Sequence, residues 1–256
     1  MAIRYGVCAG EDALRDVTDA GFDYIEMNLA RLAAMSDDEF DAVAAAIDAS
    51  DVKAESFNCF FPGGFALVGD ALDIDAVNAY VENALSRAAR LGGKVAVLGS
   101  GGARNIPEGF DRKIAKEQFV SVLRLCGDIA SSHGMIIVVE PLHSGETNLI
   151  NTVDEGLEMQ KAAGHDSVFS LADFYHVLMS GEGLDAIKGS GGVLRHVHIA
   201  GPNRKYDELK DNRALVSEWM SSLKACNYDG RISLEGHFDD FSHDVRVALG
   251  VLKESI

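Results

Sequence analysis

Four residues of types that commonly bind divalent metal ions stand at the predicted ends of consecutive strands. They are Glu140, Asp173, His198 and Glu235. A polar residue at one strand end often marks only the point where the chain leaves the core, but four in succession favour a shared site. Carboxylates are rarely buried unless they are paired or metal-bound, and three carboxylates with one imidazole suit a hard or borderline ion. The sequence therefore predicts a divalent-metal site, with Mn²⁺ or Mg²⁺ the ions that suit these ligands best.

Three further polar residues follow these ligands at short intervals. Glu146 comes six residues after the predicted ligand Glu140, His176 three after Asp173, and Arg204 six after His198. Each also has a simpler structural explanation. Glu146 could be a solvent-exposed charge in a loop, His176 could cap a helix, and Arg204 could offset the negative charge of an acidic surface. The spacing also allows all three to face the same pocket as the ligands.

Eight short apolar runs alternate with longer segments of helical periodicity along the whole chain. This alternation predicts βα repetition, and because no Pro-rich or Ser-rich linker interrupts it, residues 1–256 are expected to form one α/β domain, a closed (β/α)₈ barrel. A doubly wound open sheet is the alternative. The predicted strands are Ile3–Cys8, Tyr24–Asn28, Lys53–Phe57, Val95–Gly99, Met135–Glu140, Val168–Asp173, His196–Ala200 and Ile232–Glu235.

Local signals mark where the helices between these strands begin and end. Ser36 with Glu39, and Thr152 with Glu155, have the spacing of capping boxes at helix N-termini. Glycines that precede strands are expected in the left-handed conformation that ends a helix. These glycines are Gly21, Gly92, Gly134, Gly164 and Gly230.

Composition and charge exclude several classes of function. The 256 residues carry 23 Lys and Arg against 40 Asp and Glu, for a net charge of −17, which disfavours nucleic acid and anionic membranes as partners. With no leader before the first strand and no long apolar segment, we expect a soluble, cytoplasmic protein.

The segment Gly99–Arg104 is a weak candidate for an anion-binding loop, and no complete nucleotide-binding motif occurs. Trp219, Phe60 and Phe61 are expected mainly to pack, although the two phenylalanines could also line the pocket.

The motifs in the second half of the chain resemble those of the xylose isomerase-like sugar isomerases and epimerases, and most closely the ketose 3-epimerases of the D-tagatose 3-epimerase type. The matching motifs are Glu140-Pro141 with Glu146, Asp173-Phe174-Tyr175-His176, His198 with Arg204, and Leu234-Glu235-Gly236. The resemblance implies that Glu140, Asp173, His198 and Glu235 bind the metal. It also implies that Glu146, His176 and Arg204 bind a sugar substrate.

The resemblance further implies a metal-dependent epimerase or isomerase that works through an enediolate, in which Glu140 and Glu235 transfer the proton. Mn²⁺ is the expected ion, with Mg²⁺, Co²⁺ or Zn²⁺ as alternatives, and the chain is expected to act on a small sugar and to form a homodimer or homotetramer. The segment Gly6–Gly10, at the end of the first strand, lacks the aromatic residues that ketose 3-epimerases usually have there, so the identity of the sugar is left open.

Relatives with the same ligands suggest hydroxypyruvate isomerase or inosose or dehydroshikimate dehydratase as alternative functions. A DNA repair enzyme of the AP endonuclease type is disfavoured, because such enzymes use several histidines, some from early strands, and this chain has none before His133. A non-catalytic sugar-binding barrel is disfavoured because all four ligands are present.

Overall fold

The computed structural model describes residues 3–255, and within them eight parallel strands pair in chain order, with β8 closing onto β1. This closed barrel confirms the predicted α/β fold class, and the open-sheet alternative is wrong. Met1 and Ala2, on which the expectation of no leader rests, lie outside the described residues, and the assignment of residues 1–256 to one domain stays a prediction. The strands are β1 (Arg4–Cys8), β2 (Tyr24–Asn28), β3 (Lys53–Asn58), β4 (Val95–Leu98), β5 (Ile136–Val139), β6 (Val168–Asp173), β7 (Leu194–Ile199) and β8 (Arg231–Leu234).

Helices follow the strands and surround the barrel. Three 3₁₀ helices, Glu11–Ala13, Gly191–Val193 and Asp207–Lys210, supplement them. None of the helices within residues 3–255 combines the length and the apolar character needed to cross a membrane. The α-helices are α1 (Leu14–Ala20), α2 (Leu29–Ala34), α3 (Asp37–Ala49), α4 (Ile74–Arg90), α5 (Gly101–Arg104), α6 (Arg112–Ser132), α7 (Val153–Ala163), α8 (Phe174–Ser180), α9 (Asp185–Gly189), α10 (Arg213–Ala225) and α11 (Phe241–Glu254).

The first predicted capping box forms both of its hydrogen bonds, and the second forms one of the two. Ser36 accepts a hydrogen bond from the Glu39 amide while the Glu39 carboxylate accepts one from the Ser36 amide, 2.8 Å away. Thr152 likewise accepts from the Glu155 amide at 3.2 Å. The Glu155 carboxylate, however, accepts from the amide of Asn151, so the second predicted box is incomplete.

The glycine signals are confirmed except at the last position. Gly21, Gly92, Gly134 and Gly164 all have positive φ, as expected at helix ends. The prediction for Gly230 is wrong, because the left-handed residue after α10 is Asn227, with a φ of 56°. Asn tolerates this conformation better than other non-glycine residues, because its side chain can bond the local backbone.

Apolar side chains divide between two regions. The larger core lies between the strands and the surrounding helices, where Trp219 stacks on Phe174 with 4.9 Å between ring centroids. A smaller cluster of Val95, Val97, Val138 and Leu171 is separate from it and involves β4, β5 and β6. Polar side chains from β2, β3, β7 and β8 are also fully buried, namely Glu26, Ser56, His196 and Ser233. The barrel therefore has an apolar and a polar side.

Candidate metal and substrate site

The four predicted metal ligands meet at the carboxyl ends of the strands. Glu140 directly follows β5, Asp173 ends β6, His198 is the penultimate residue of β7, and Glu235 directly follows β8. One ligand atom from each lies within 4.8 Å of those of the others. Because the strands are parallel, their carboxyl ends share one rim of the barrel, which is why residues spread over the second half of the sequence converge.

Glu140 also depends on the neighbouring strand for room. Gly99 directly follows β4, and a Cβ atom at that position would lie 2.1 Å from Glu140 Oε2. The side chain of Glu140 is 6% exposed. The absence of a side chain at position 99 therefore lets the Glu140 carboxylate occupy this rim.

His198 is placed between carboxylates on both sides of its ring. Its Nδ1 atom lies 3.0 Å from Glu140 Oε1 and 3.4 Å from Glu235 Oε2. Its Nε2 atom lies 2.9 Å from Oε1 of Glu26 on β2. The imidazole is fully buried, and Nδ1 is the ring nitrogen that faces Glu140 and Glu235.

Asp173 leaves one carboxylate oxygen without a protein partner. Oδ1 accepts a hydrogen bond from the Tyr175 amide at 2.8 Å and so caps α8. Oδ2 is buried and forms no hydrogen bond with another group of residues 3–255. A buried carboxylate oxygen without a donor is costly, and three carboxylates with one imidazole nitrogen match the ligand preference of Mn²⁺ or Mg²⁺. The residues present therefore fit a divalent ion.

The three carboxyl groups differ in their electrostatic surroundings. Burial, together with Glu235 and Glu140, raises the pKa of Asp173 to about 7. Burial also raises the pKa of Glu140 above its usual value. At Glu235 burial acts in the same direction, but His198 and Arg204 outweigh it and hold the pKa of that carboxyl below its usual range. Glu235 is thus the carboxylate most strongly held in its charged form.

Hydrogen bonds from β3 and from the loop after β7 explain how Glu235 is held. Asn58, the last residue of β3, donates from Nδ2 to Glu235 Oε1 at 2.9 Å. Arg204 donates from Nη2 to Oε2, also at 2.9 Å. Each carboxylate oxygen therefore has its own donor, which restricts rotation of the side chain.

Glu146 and Arg204 lie together at the rim beside these ligands. Arg204 Nη1 donates to Glu146 Oε1 at 3.2 Å, and the guanidinium carbon lies 5.0 Å from the centroid of the Tyr175 ring. Arg204 has a φ of 60°, and its carbonyl would lie 2.4 Å from a Cβ atom at Gly236. The backbone of the loop after β7 therefore packs closely on the segment after β8, which places the guanidinium over the site.

His176 lies deeper, with a side chain that is 2% exposed. Its Nδ1 atom accepts a hydrogen bond from the His143 amide at 3.2 Å, and its Nε2 atom lies 3.5 Å from Asp173 Oδ2 without forming a hydrogen bond. Burial, with Arg204 nearby, lowers the pKa of His176 to about 3. The neutral ring therefore carries its proton on Nε2 and presents a donor beside Asp173.

His143, Glu146 and His176 form a second group with metal-ligand types. His143 Nδ1 accepts from the Gly145 amide at 3.0 Å, so in both histidines the nitrogen with a free lone pair is already used. The remaining nitrogens carry protons and are donors. This arrangement suits hydroxyl groups of a bound molecule better than a second cation.

The sequence did not identify Glu26, His196, Asn58 or His143 as site residues. Glu26 and His196 are fully buried beneath the four ligands, and Asn58 contacts Glu235. A signal existed for His196, because it lies two residues before His198 and side chains two apart on a strand point to the same side.

The structure also decides the minor candidates. Arg104 is fully buried and donates to the carbonyls of Leu98 and Ile150 at 3.4 Å, so an anion-binding role for this arginine is wrong. Phe60 and Phe61 are buried and pack on each other, with 4.8 Å between centroids, which agrees with a packing role.

Comparison with known proteins places this chain among related barrels. The sequence profile of the family described as xylose isomerase-like TIM barrel matches residues 14–254. A D-psicose 3-epimerase of Ruminiclostridium cellulolyticum is 31% identical over 127 residues, 49% of this chain and 43% of the relative. A 2-oxo-tetronate isomerase of Pectobacterium atrosepticum is 27% identical over 160 residues, 60% of this chain and 59% of the relative. The chain spans about half the length of the curated relatives it matches.

Solved structures agree over nearly the whole chain. A D-allulose 3-epimerase from Methylomonas sp. in complex with D-allulose superimposes with a TM-score of 0.86 at 20% identity, covering 100% of this chain and 98% of that one. A structure described as AP endonuclease, family 2, from Brucella melitensis has a TM-score of 0.78 at 21% identity, covering 98% of each chain. At these identities the similarity establishes the fold alone.

Proposed function

Because the chain belongs to the xylose isomerase-like TIM barrel family, we propose that it is a divalent-metal-dependent sugar epimerase or isomerase that acts on a ketose or related hydroxy-carbonyl compound. The observation that carries this proposal is the convergence of Glu140, Asp173, His198 and Glu235, with ligand atoms within 4.8 Å of one another. Relatives described as D-psicose 3-epimerase and L-ribulose 3-epimerase support the reaction class.

These four residues would hold the ion, most favourably Mn²⁺, with Mg²⁺, Co²⁺ or Zn²⁺ as alternatives. When bound, the ion supplies a Lewis acid that polarises the substrate carbonyl and stabilises the negative charge of an enediolate. The unpartnered Oδ2 atom of Asp173 supports this assignment, because a cation would satisfy it.

Glu140 and Glu235 would transfer the proton. They lie 3.0 and 3.4 Å from His198 Nδ1, so one carboxylate would remove the carbon-bound proton from the substrate, and the other would return a proton to the opposite face of the resulting planar enediolate. This exchange inverts the carbon centre. The same first step followed by return of the proton to the neighbouring carbon gives isomerisation.

Glu146, His176 and Arg204 would bind the substrate. His176 offers an Nε2 proton that has no partner in the protein, and Arg204 offers a guanidinium at the rim. Both are donors, which suits the oxygen atoms of a sugar.

The electrostatics of the rim favour an uncharged substrate. Within residues 3–255, the loops between each strand and the next helix contain two lysine or arginine residues, Arg204 and Lys205. Arg204 is paired with Glu146 and Glu235, and Lys205 lies 2.8 Å from Asp239. A phosphate group would therefore find no unpaired cation in these loops, and it would meet the field of several carboxylates. A free or simply substituted ketose fits better.

Isomerisation of an open-chain hydroxy-carbonyl acid is the second candidate. The alignment with the 2-oxo-tetronate isomerase is longer than that with the D-psicose 3-epimerase, 160 against 127 residues, and both reactions require enolisation beside a carbonyl. A nucleic-acid substrate is disfavoured by the net charge of −17. Assembly into a homodimer or homotetramer and a cytoplasmic location stay predictions.

Turnover in D₂O with saturating Mn²⁺ tests the proposal. D-psicose, D-tagatose, D-fructose, L-ribulose and a 2-oxo-tetronate are incubated separately with the enzyme, and the products are analysed by NMR. We expect deuterium at the inverted or isomerised carbon, and loss of most of kcat in Glu235→Gln measured at saturating Mn²⁺. Failure of the wild-type protein to bind Mn²⁺, or turnover without any solvent label, would refute the mechanism.

A further inference from the structure

A buried carboxylate on the opposite side of the barrel contacts the histidine of the proposed metal site. Glu26 lies in the middle of β2 and is completely buried. Its Oε1 atom lies 2.9 Å from His198 Nε2, and its Oε2 atom lies 2.8 Å from His196 Nε2. Since His198 belongs to β7, this contact links two strands that are not neighbours in the barrel.

The hydrogen-bond pattern around Glu26 determines which atoms carry protons. Ser233 Oγ donates to Glu26 Oε2 at 2.5 Å, and Tyr24 Oη lies 2.7 Å from Ser233 Oγ. Because a hydroxyl carries one proton, Ser233 can donate to Glu26 only if Tyr24 donates to Ser233. The carboxylate then accepts from the serine and from both imidazole Nε2 atoms, and every bond in this group has one donor and one acceptor.

This pattern has a consequence for His198. A neutral imidazole carries a proton on one nitrogen only, and the other nitrogen presents the lone pair that a metal requires. In the neutral form that binds a metal, with its proton on Nε2 and bonded to Glu26, His198 presents the lone pair of Nδ1. Nδ1 is the nitrogen that faces Glu140 and Glu235.

We infer that Glu26 is a positioning residue that fixes the tautomer and ring orientation of His198, so that Nδ1 is available to the ion. This inference rests on the proposed metal site. Carboxylates that accept the second N–H of a metal-binding histidine commonly have this effect, and their loss weakens metal binding by 10–100-fold.

Glu26→Gln is the variant that tests this role, with Tyr24→Phe as the matched control. The glutamine has nearly the same shape, but it cannot accept from both histidines at once. The control removes a hydroxyl from the same buried group, three hydrogen bonds away from His198, and leaves the donors to Glu26 in place. Both proteins are compared with wild type by calorimetric titration with Mn²⁺, and their folding is checked by circular dichroism.

We expect the Mn²⁺ dissociation constant to increase 10–100-fold in Glu26→Gln and to change less than threefold in Tyr24→Phe. Wild-type affinity in a folded Glu26→Gln protein would overturn the inference while leaving the proposed function intact. Absence of Mn²⁺ binding in the wild-type protein would instead overturn the proposed function, and with it this role of Glu26.

A spectroscopic measurement on the wild-type protein keeps the inference testable if Glu26→Gln does not fold. In protein labelled with ¹⁵N-histidine and loaded with diamagnetic Zn²⁺, long-range ¹H–¹⁵N spectra distinguish the two tautomers. We expect His198 to carry its proton on Nε2, with slow exchange against solvent. A proton on Nδ1, or Zn²⁺ bound through Nε2, would overturn the inference.

Discussion

Replacing Asp173 with asparagine is expected to make the metal-free protein more stable at pH 8, although it removes a proposed metal ligand. The Asp173 carboxyl is 1% exposed, and burial together with Glu235 and Glu140 raises its pKa to about 7 from an ordinary value of 3.8. Its ionised form therefore opposes folding when no cation is bound. Asparagine has no charge and keeps an oxygen that can accept from the Tyr175 amide, as Oδ1 of the aspartate does.

The sign and size of the effect follow from proton linkage. The folded protein holds the Asp173 proton more tightly than the unfolded chain does. Protonation of this carboxyl therefore stabilises the folded state fully below pH 3.8, and this contribution is lost as the pH rises through 7. At about 1.4 kcal/mol per pH unit, the difference of about three units costs the wild-type protein about 4 kcal/mol at pH 8. At pH 5 the folded carboxyl is still neutral, and the cost is less than half as large.

Unfolding in urea with EDTA, at pH 5 and pH 8, measures this difference. The free energy of unfolding of Asp173→Asn should exceed that of wild type by a larger amount at pH 8 than at pH 5. In a thermal scan, each 1 kcal/mol would correspond to about 2–4 °C in Tm for a protein of this size. Saturating Mn²⁺ should reverse the order, because an ion bound only by the native state stabilises the wild-type protein. A variant no more stable than wild type at pH 8, or equally favoured at both pH values, would contradict this account of the site.

Two further substitutions probe the substrate side, and one pair probes the backbone. Arg204→Ala should lower kcat/KM by about 10–100-fold, the equivalent of one or two charge-assisted hydrogen bonds, with little change in Tm. A large fall in Tm with unchanged kinetics would show that this arginine has a structural role. Asn58→Ala should lower kcat by about tenfold at unchanged KM, because Glu235 Oε1 loses its donor at 2.9 Å, and unchanged kcat would exclude this positioning role. Gly236→Ala should lower stability by about 1–3 kcal/mol in thermal unfolding, because its Cβ would lie 2.4 Å from the Arg204 carbonyl. At Gly250, inside α11, a Cβ meets nothing within 4 Å, so the same substitution should raise stability by about 0.5–1 kcal/mol, and equal effects at the two glycines would contradict the packing argument.

The barrel itself was predictable because its signals are local. Strands of β-branched residues and amphipathic helices are specified within a few residues, and all eight strands lie within two residues of their predicted bounds. The helix caps were less certain, because a carboxylate at the right spacing has more than one amide to choose from. The Glu155 carboxylate accepts from the amide of Asn151 and not from the amide of Thr152, because the conformation of the preceding loop brings the Asn151 amide within hydrogen-bond distance.

The convergence of the four proposed ligands was predictable for a topological reason. In a closed parallel barrel every strand ends at the same rim, so polar residues at four successive strand ends are expected to lie close together. The orientation of the loops is not specified in this way. Arg104 follows β4 within a glycine-rich segment and resembles a rim residue in the sequence, yet it turns inward and bonds main-chain carbonyls.

The residues beneath the ligands illustrate what strand periodicity can and cannot predict. His196 and His198 are two apart on β7, and Tyr24 and Glu26 are two apart on β2, so each pair points to the same side of its strand. Periodicity therefore allows all four side chains to face the barrel interior. It does not predict that Glu26 bonds His198, 172 residues away, because contacts across the interior depend on the stagger between strands that are not neighbours. This stagger is fixed only when all eight strands close into the barrel. The contact between Glu26 and His198 therefore depends on the whole fold, and no local signal in the sequence predicts it.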